Sequence, residues 1–343
     1  MSEGAIEFFV LTGFLGSGKT TLLRDFLEGP EAADTAVVVN EVGEIGLDGI
    51  VLRESGAGVP MAMLSNGCVC CQVGSDLAFT IDRLIVTERP DGAPPLRRIV
   101  LETSGASRPG PVLRQLASLA QHNMKIAVVG TFDLLRGTET TAFEEAAAQW
   151  AAAHRIVATK VDLALPEDFA RASPTIAAIN PLAEVIALAN RASAVAAAFA
   201  PLVAAQPLRE IDSDDLTSAH PRLALCLAKP AGDVAYEGLS TWLDNLAGLL
   251  GERLLRLKGL VRVTEGGTPL LVESVGTMFS PPRPLRNESA ASSSFVIIIA
   301  RDVSEAELET IEPKGLFHLS SWRRPDDVLA RNDRRVIKAE WVA

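Results

Sequence analysis

One stretch restricts this chain more than any other: Gly13-Phe14-Leu15-Gly16-Ser17-Gly18-Lys19-Thr20. It fits the pattern GxxxxGK(S/T), and its surroundings are what that pattern requires. The apolar run Ile6–Leu11 before it predicts a buried strand, and Thr21–Leu27 after it carries Leu and Phe at helical spacing. Strand, glycine loop and helix together define a phosphate cradle, and a glycine-rich turn without a ligand is the blander reading. Backbone N–H groups from Gly13 to Thr21 curl around phosphate oxygens, and the positive end of the helix dipole adds attraction. In such a loop Lys19 reaches the β- and γ-phosphates, and the Thr20 hydroxyl sits on Mg²⁺.

Composition excludes several other classes. The net charge is −11 and no basic cluster stands out, so neither nucleic acid nor an anionic membrane is expected as a partner. No apolar run reaches the roughly 18 residues of a membrane span. The run Ile6–Leu15 is short, and Glu3 and Glu7 spoil a signal-peptide reading. Three of the four cysteines crowd together at Cys68, Cys70 and Cys71, which is not a disulfide framework. Clustered thiols suggest a reducing, cytoplasmic setting. Cys226, inside Leu223–Leu227, reads as a small apolar strand residue.

Strand-like and helix-like runs alternate to about residue 200. Expected strands are Ile6–Leu11, Ala36–Val39, Met61–Leu64, Arg98–Leu101, Lys125–Val129, Arg155–Ala158 and Glu184–Ile186. Helices are expected over Asp76–Thr87, Phe143–Ala153 and Glu167–Ala178. The alternation predicts an α/β fold, a P-loop NTPase with a mostly parallel sheet, over 1–200. The Pro-containing, acidic stretch 201–221 reads as a linker. Beyond it, 222–343 predicts a smaller α+β domain, with strands Arg222–Ala228, Leu254–Val263, Leu270–Val275 and Ser294–Ile299. Its helices are expected at Tyr236–Leu250 and Glu305–Ile311. No chemistry is assigned to the Ala290–Ser294 loop or the charged tail Arg323–Arg335.

Further motifs bear on chemistry. Glu102 ends a predicted strand and Gly105 follows in Glu102-Thr103-Ser104-Gly105. P-loop enzymes put an acid there to hold the Mg²⁺ shell and a glycine whose N–H meets the γ-phosphate. Regulatory GTPases mostly use Asp at that point. In Thr159-Lys160-Val161-Asp162 the carboxylate can accept from the paired donors of guanine, which adenine lacks, while Lys160 packs on the base. The familiar version begins with Asn, so Thr159 is a departure. Asn66-Gly67-Cys68-Val69-Cys70-Cys71 can converge on one soft ion, Zn²⁺ first, with Co²⁺ or Fe²⁺ as alternatives; a redox pair or inert buried thiols remain open. Acidic Glu41, Glu44 and Asp48 lie where a nucleotide-sensing loop would follow the second strand.

Taken together, Gly13–Leu23, Asn40–Asp48, Asn66–Cys71, Glu102–Gly105, Thr159–Asp162 and Gly251–Gly259 resemble the CobW-like GTPases. The resemblance implies a slow GTPase using Lys19, Thr20, Glu102 and Mg²⁺. It implies a transition metal on Cys68, Cys70 and Cys71, with Glu44 as an added ligand. It also implies delivery of that metal to a client metalloprotein or a cofactor-synthesis complex. A metal-responsive regulator and a cobalt-insertion accessory of cobalamin synthesis are the alternatives, and a homodimer is left open. A small-metabolite kinase is disfavoured, since it has no use for Asp162 or clustered thiols. Two departures stand out. Val39 occupies a place where some members carry an acid, and Arg108 replaces the Asp that usually follows the Glu102–Gly105 motif. The four isolated histidines, His122, His154, His220 and His318, make no metal store.

Overall fold

The computed structural model describes residues 5–40, 59–64, 75–87, 89, 92–202, 220–266, 268–285 and 294–320. Among them the first half builds a seven-stranded sheet in the order β3-β2-β4-β1-β5-β6-β7. The strands are β1 Ile6–Gly13, β2 Thr35–Asn40, β3 Met61–Leu64, β4 Arg98–Glu102, β5 Met124–Asp133, β6 Arg155–Thr159 and β7 Glu184–Ile186. Every pairing is parallel.

Near-continuous apolar strands follow from burial on both faces. Phe9 and Leu11 of β1 face α1 (Lys19–Leu27) and a helix over Arg191–Ala198. Phe8 and Val10 face the other layer, formed by α2 (Ser75–Val86), α3 (Pro109–Leu116), α4 (Glu144–Ala152) and α5 (Pro166–Ile179). Strand β1 lies between β4 and β5, where the chain's winding reverses. In open α/β sheets that reversal leaves a crevice at the carboxyl ends of the strands.

The second half forms an antiparallel sheet in the order β11-β10-β9-β13-β8-β14, with β12 paired to β10. Its strands are β8 Leu223–Pro230, β9 Leu254–Val261, β10 Leu270–Val275, β11 Met278–Phe279, β12 Arg283–Pro284, β13 Phe295–Arg301 and β14 Phe317–Ser320. Helix α6 (Tyr236–Leu250) covers one face through Leu239, Trp242, Leu243 and Leu246, packed on Cys226, Leu257 and Ile298. The alternate residues Leu225, Leu227, Ile297 and Ile299 join the core of the first half, beside Trp150 and Ala151 of α4. The two sheets therefore share one continuous hydrophobic core.

Sequence expectation and structure differ in places. The helix expected over Glu305–Ile311 covers only Glu305–Leu308, its Ser304 side chain accepting from Glu307 N–H. Strand β9 stops at Val261 rather than Val263, because a turn at Thr264–Glu265 follows. Strand β14, a short edge strand, was not expected; helix α3 lies in the interval between β4 and β5 and opens on Pro109 at its first turn. Most of the 201–221 linker, the loop residues 290–293 and the tail Arg323–Arg335 lie outside the described residues. No described helix is long and apolar enough to cross a membrane.

Candidate functional site: a P-loop at the sheet crevice

The loop after β1 turns into α1 through Gly18, whose φ of +89° falls in the left-handed region that glycine adopts without strain. No side chain caps α1, so its first N–H groups face the crevice. Lys19 is mostly buried, and its Nζ donates to the carbonyls of Gly13 at 2.9 Å and Phe14 at 3.2 Å. The ammonium is thus held at the loop mouth, where anionic oxygens would meet it.

Glu102 ends β4, one strand away from the loop. Thr20 Oγ1 donates to Glu102 Oε1 at 2.7 Å, so residues 82 positions apart meet at one point. Glu102 is only 5 % exposed. Beyond it the chain folds back against the P-loop. A Cβ on Gly105 would stand 2.9 Å from the Leu15 nitrogen and 2.7 Å from Leu15 Cδ2, so only glycine lets the two loops approach.

The Thr159–Asp162 segment begins beside the same loop. Thr159 Oγ1 is 2.8 Å from the Ser17 carbonyl and 3.2 Å from that of Phe132, and as a hydroxyl it donates. Its methyl end packs against Gly18. The Thr in place of Asn thus ties this loop to the phosphate loop. Lys160 has φ +59°, and its Nζ pairs with Asp133 Oδ2 at 2.5 Å. Asp162 is exposed on the loop after β6.

Several site residues escaped the sequence reading. Thr131 Oγ1 shares a hydrogen bond with Ser17 Oγ at 2.6 Å, and Trp150 Nε1 donates to Thr131 O at 2.9 Å. Asp133 is buried at the end of β5, and its Oδ1 accepts from Leu135 N–H at 2.9 Å. Gln149 is fully buried and donates through Nε2 to Gly105 O at 3.0 Å and Ser107 O at 2.8 Å. A lone amide within Glu144–Ala152, otherwise largely alanine, was the available signal.

Cys68, Cys70, Cys71 and Glu44, with Glu41 and Asp48, lie outside the described residues. Among the described residues no group of three or more His, Cys, Asp or Glu side chains gathers as a metal site. Cys226 is fully buried, and burial pushes its thiol up to about 12, so it stays protonated and apolar in character. His154 is likewise structural. Its Nδ1 accepts from Val128 N–H at 3.0 Å, and its Nε2 lies 2.8 Å from Arg256 Nη1 of β9. Burial first, and then Arg256, Lys258 and Arg155, hold its pKa well below the usual value.

Parallel sheet, glycine loop, helix N-terminus, lysine, and a paired hydroxyl and carboxylate define a P-loop nucleotide-binding protein. Residues 7–187 match the family described as CobW/HypB/UreG, nucleotide-binding domain, and residues 226–311 match the Cobalamin synthesis protein cobW C-terminal domain. The chain belongs to this family. It is 27% identical over 320 residues to the zinc chaperone YjiA of Escherichia coli K12, covering 88% of this chain and 96% of that protein. It is 38% identical over 117 residues to the zinc chaperone CobW of a Sinorhizobium species, which is 33% of this chain. The chain spans less than a third of the length of that protein and of its Pseudomonas aeruginosa counterpart, 31% and 28%. The crystal structure of Zn(II)-bound YjiA GTPase from E. coli superposes with a TM-score of 0.62 at 22% identity, over 89% of this chain and 97% of that one. That likeness establishes the shared fold.

Proposed function

We propose that this protein is a GTP-hydrolysing metallochaperone that carries zinc on Cys68, Cys70 and Cys71, with Glu44 as an added ligand, and hands it to a client metalloprotein. The observation that carries the reading is the Thr20–Glu102 hydrogen bond at 2.7 Å beside the Lys19 ammonium. It brings a hydroxyl and a carboxylate, both hard oxygen donors, to the loop mouth, and that donor set fits Mg²⁺. The Thr20 hydroxyl donates its hydrogen bond to Glu102 and keeps lone pairs for the ion. When bound, Mg²⁺ neutralises charge between the β- and γ-phosphates.

The chain's own residues do the rest. Loop N–H groups from Gly13 to Thr21 bind the phosphates. Lys19 exchanges the Gly13 and Phe14 carbonyls for β- and γ-oxygens, where its charge is worth most as the bond breaks. Gly105 offers its N–H to the γ-phosphate. Asp162 and Lys160 read the base, and the loss of a carboxylate's partners with adenine makes GTP the substrate. The zinc chaperone names of the relatives support zinc as cargo, and the clustered thiols suit a reducing cytoplasm. In this reading 1–200 is the GTPase unit, 201–221 a linker and 222–343 the C-terminal unit.

The test is a nucleotide competition with Mg²⁺ followed by a zinc titration. GTP should outcompete ATP by at least about 100-fold, a margin available where the wrong base strands a polar group. One Zn²⁺ per chain should bind under reducing conditions and be lost in Cys70→Ser. Equal affinity for the two nucleotides would overturn the substrate assignment, and unchanged zinc binding in Cys70→Ser would overturn the cargo site.

A further inference from the structure

Glu144 opens α4, and its two oxygens are shared by arginines from three separate places. Arg108 Nη2 lies 2.6 Å from Oε1. Arg301 also pairs with Oε1, and Arg222 with Oε2. Arg222 is clamped in turn to Asp302, its Nε donating to Oδ1 at 2.8 Å. That hydrogen bond holds the Asp302 carboxyl below its usual pKa. Arg222 immediately precedes β8, and Arg301 ends β13, which pair with each other inside the second sheet. Arg108 stands on the loop that carries Gly105. One carboxylate therefore joins the loop facing the γ-phosphate to two inner strands of the C-terminal sheet.

The same helix grips the nucleotide site elsewhere. Phe143, its N-cap, stacks on Phe14 of the P-loop at 4.8 Å. Gln149 holds the Gly105 and Ser107 carbonyls, and Trp150 holds Thr131. Yet Gln149 Oε1 and Ser107 Oγ, both buried, find no hydrogen-bond partner among the described residues. A shift of the loop that brings an N–H or the Ser107 hydroxyl onto Gln149 Oε1 recovers a bond that the present position forgoes. Arg108 makes the link possible, since an Asp at that position would face Glu144 with like charge.

We propose that Glu144 couples nucleotide state to the C-terminal sheet. When the γ-phosphate draws the Gly105 N–H toward the P-loop, Arg108 leaves Glu144, and the carboxylate is taken wholly by Arg222 and Arg301. The C-terminal sheet is then held more tightly in the GTP state than in the GDP state. The inference rests on the GTP-binding reading above. Coupling is reciprocal, so the grip of Arg222 and Arg301 also shifts the preference between GTP and GDP. Glu144 acts through Arg108, Arg222 and Arg301 and is a positioning residue.

The test uses the full chain with a non-hydrolysable GTP analogue or GDP. Amide exchange is followed over β8 and over Arg301–Leu308, alongside nucleotide titrations. In the wild type, exchange at these segments should be slower with the analogue than with GDP. In Glu144→Gln that difference should vanish while both nucleotides still bind, and the ratio of the two affinities should shift on the order of fivefold, the low end of ordinary allosteric coupling. Glu252→Gln removes Arg114–Glu252, another ion pair between the halves that does not involve the Gly105 loop, and should keep the difference. A wild type that binds both nucleotides but exchanges equally overturns the coupling and leaves the GTP reading standing. So does a Glu144→Gln protein that keeps the full difference. A wild type that binds no GTP analogue overturns the GTP reading, and the coupling with it.

Discussion

The two sheets of this protein both pack into hydrophobic core, yet among the described residues the candidate phosphate site stands on the parallel one. In the parallel sheet every strand runs the same way, so the carboxyl ends of β1, β4, β5 and β6 open together on one crevice. Lys19, Thr20, Glu102, Asp133 and Thr159 all stand at or just beyond those ends. In the antiparallel sheet successive ends point opposite ways, and among the described residues its polar side chains gather as ion pairs, Arg222 and Arg301 with Glu144 and Asp302, rather than around a glycine loop. Some of its charged groups meet the first half, Arg222 and Arg301 at Glu144 of α4 and Arg256 at His154. Strand direction, more than burial, decides which half can cradle a phosphate.

The largest effect should come from breaking the first half's chemistry while sparing its fold. Lys19→Ala is expected to lower GTP turnover on the order of 10³-fold, as loss of a preorganised charge at a transition state does. Its melting temperature should stay near wild type, since the loop's turn is set by its glycines and Nζ bonds to the carbonyls of Gly13 and Phe14 at the loop mouth. Hydrolysis that survives the substitution would place phosphoryl transfer elsewhere.

Ile297→Ala asks whether the halves are one cooperative unit. The side chain is fully buried on the face of β13 that meets the first half's core. Its loss should cost about 2–5 kcal/mol. Because the core is shared, both halves should unfold in one shifted transition, seen together by far-ultraviolet dichroism and Trp fluorescence. Two separated transitions, with only the second moved, would show that the halves fold independently.

A gentler probe is pH. His154 sits between the halves, among Arg256, Lys258 and Arg155, with its folded pKa below the ordinary 6.5. The unfolded chain binds the proton more readily, so this group's contribution is full above about 6.5 and is lost as pH falls below it. The slope per group approaches about 1.4 kcal/mol per pH unit between the two pKa values. In His154→Phe that part of the acid sensitivity of denaturant unfolding should disappear. An unchanged slope would mean that other groups govern it.

The smallest effect should fall on metal. Cys226→Ala, in the second sheet, is expected to leave zinc stoichiometry and affinity unchanged, because its buried thiol does not ionise. A measurable loss of zinc would move part of the binding site into the C-terminal sheet.

The P-loop half was readable because its signals are local. Gly13–Thr20 lies between a strand and a helix, and a few residues name both the turn and the ligand class. Glu102 and Thr159–Asp162 were placed by the rhythm of strands and loops, and Glu102 and Thr159 bond to residues of the loop and of α1. Thr131, Asp133 and Gln149 were not legible. Each acts through a partner at least 27 residues away in sequence: Ser17 for Thr131, Lys160 for Asp133 and Gly105 for Gln149. The shared core was hidden for a related reason. Phe295–Ala300 reads as an apolar run whether its second face meets a helix of its own half or another sheet's helix.

By itself, then, the sequence determined the alternation of strands and helices, the phosphate loop, the guanine-type motif and the place where thiols cluster, because these depend on neighbours along the chain. Only the tertiary structure decided that Thr159 would bond to the phosphate loop, that Gln149 would hold Gly105, and that Glu144 would stand between Arg108, Arg222 and Arg301. Those contacts join residues from 36 to 157 positions apart. They exist because the strands run parallel to one crevice and a second sheet packs against α4, a geometry set by the packing of whole layers rather than by any local preference.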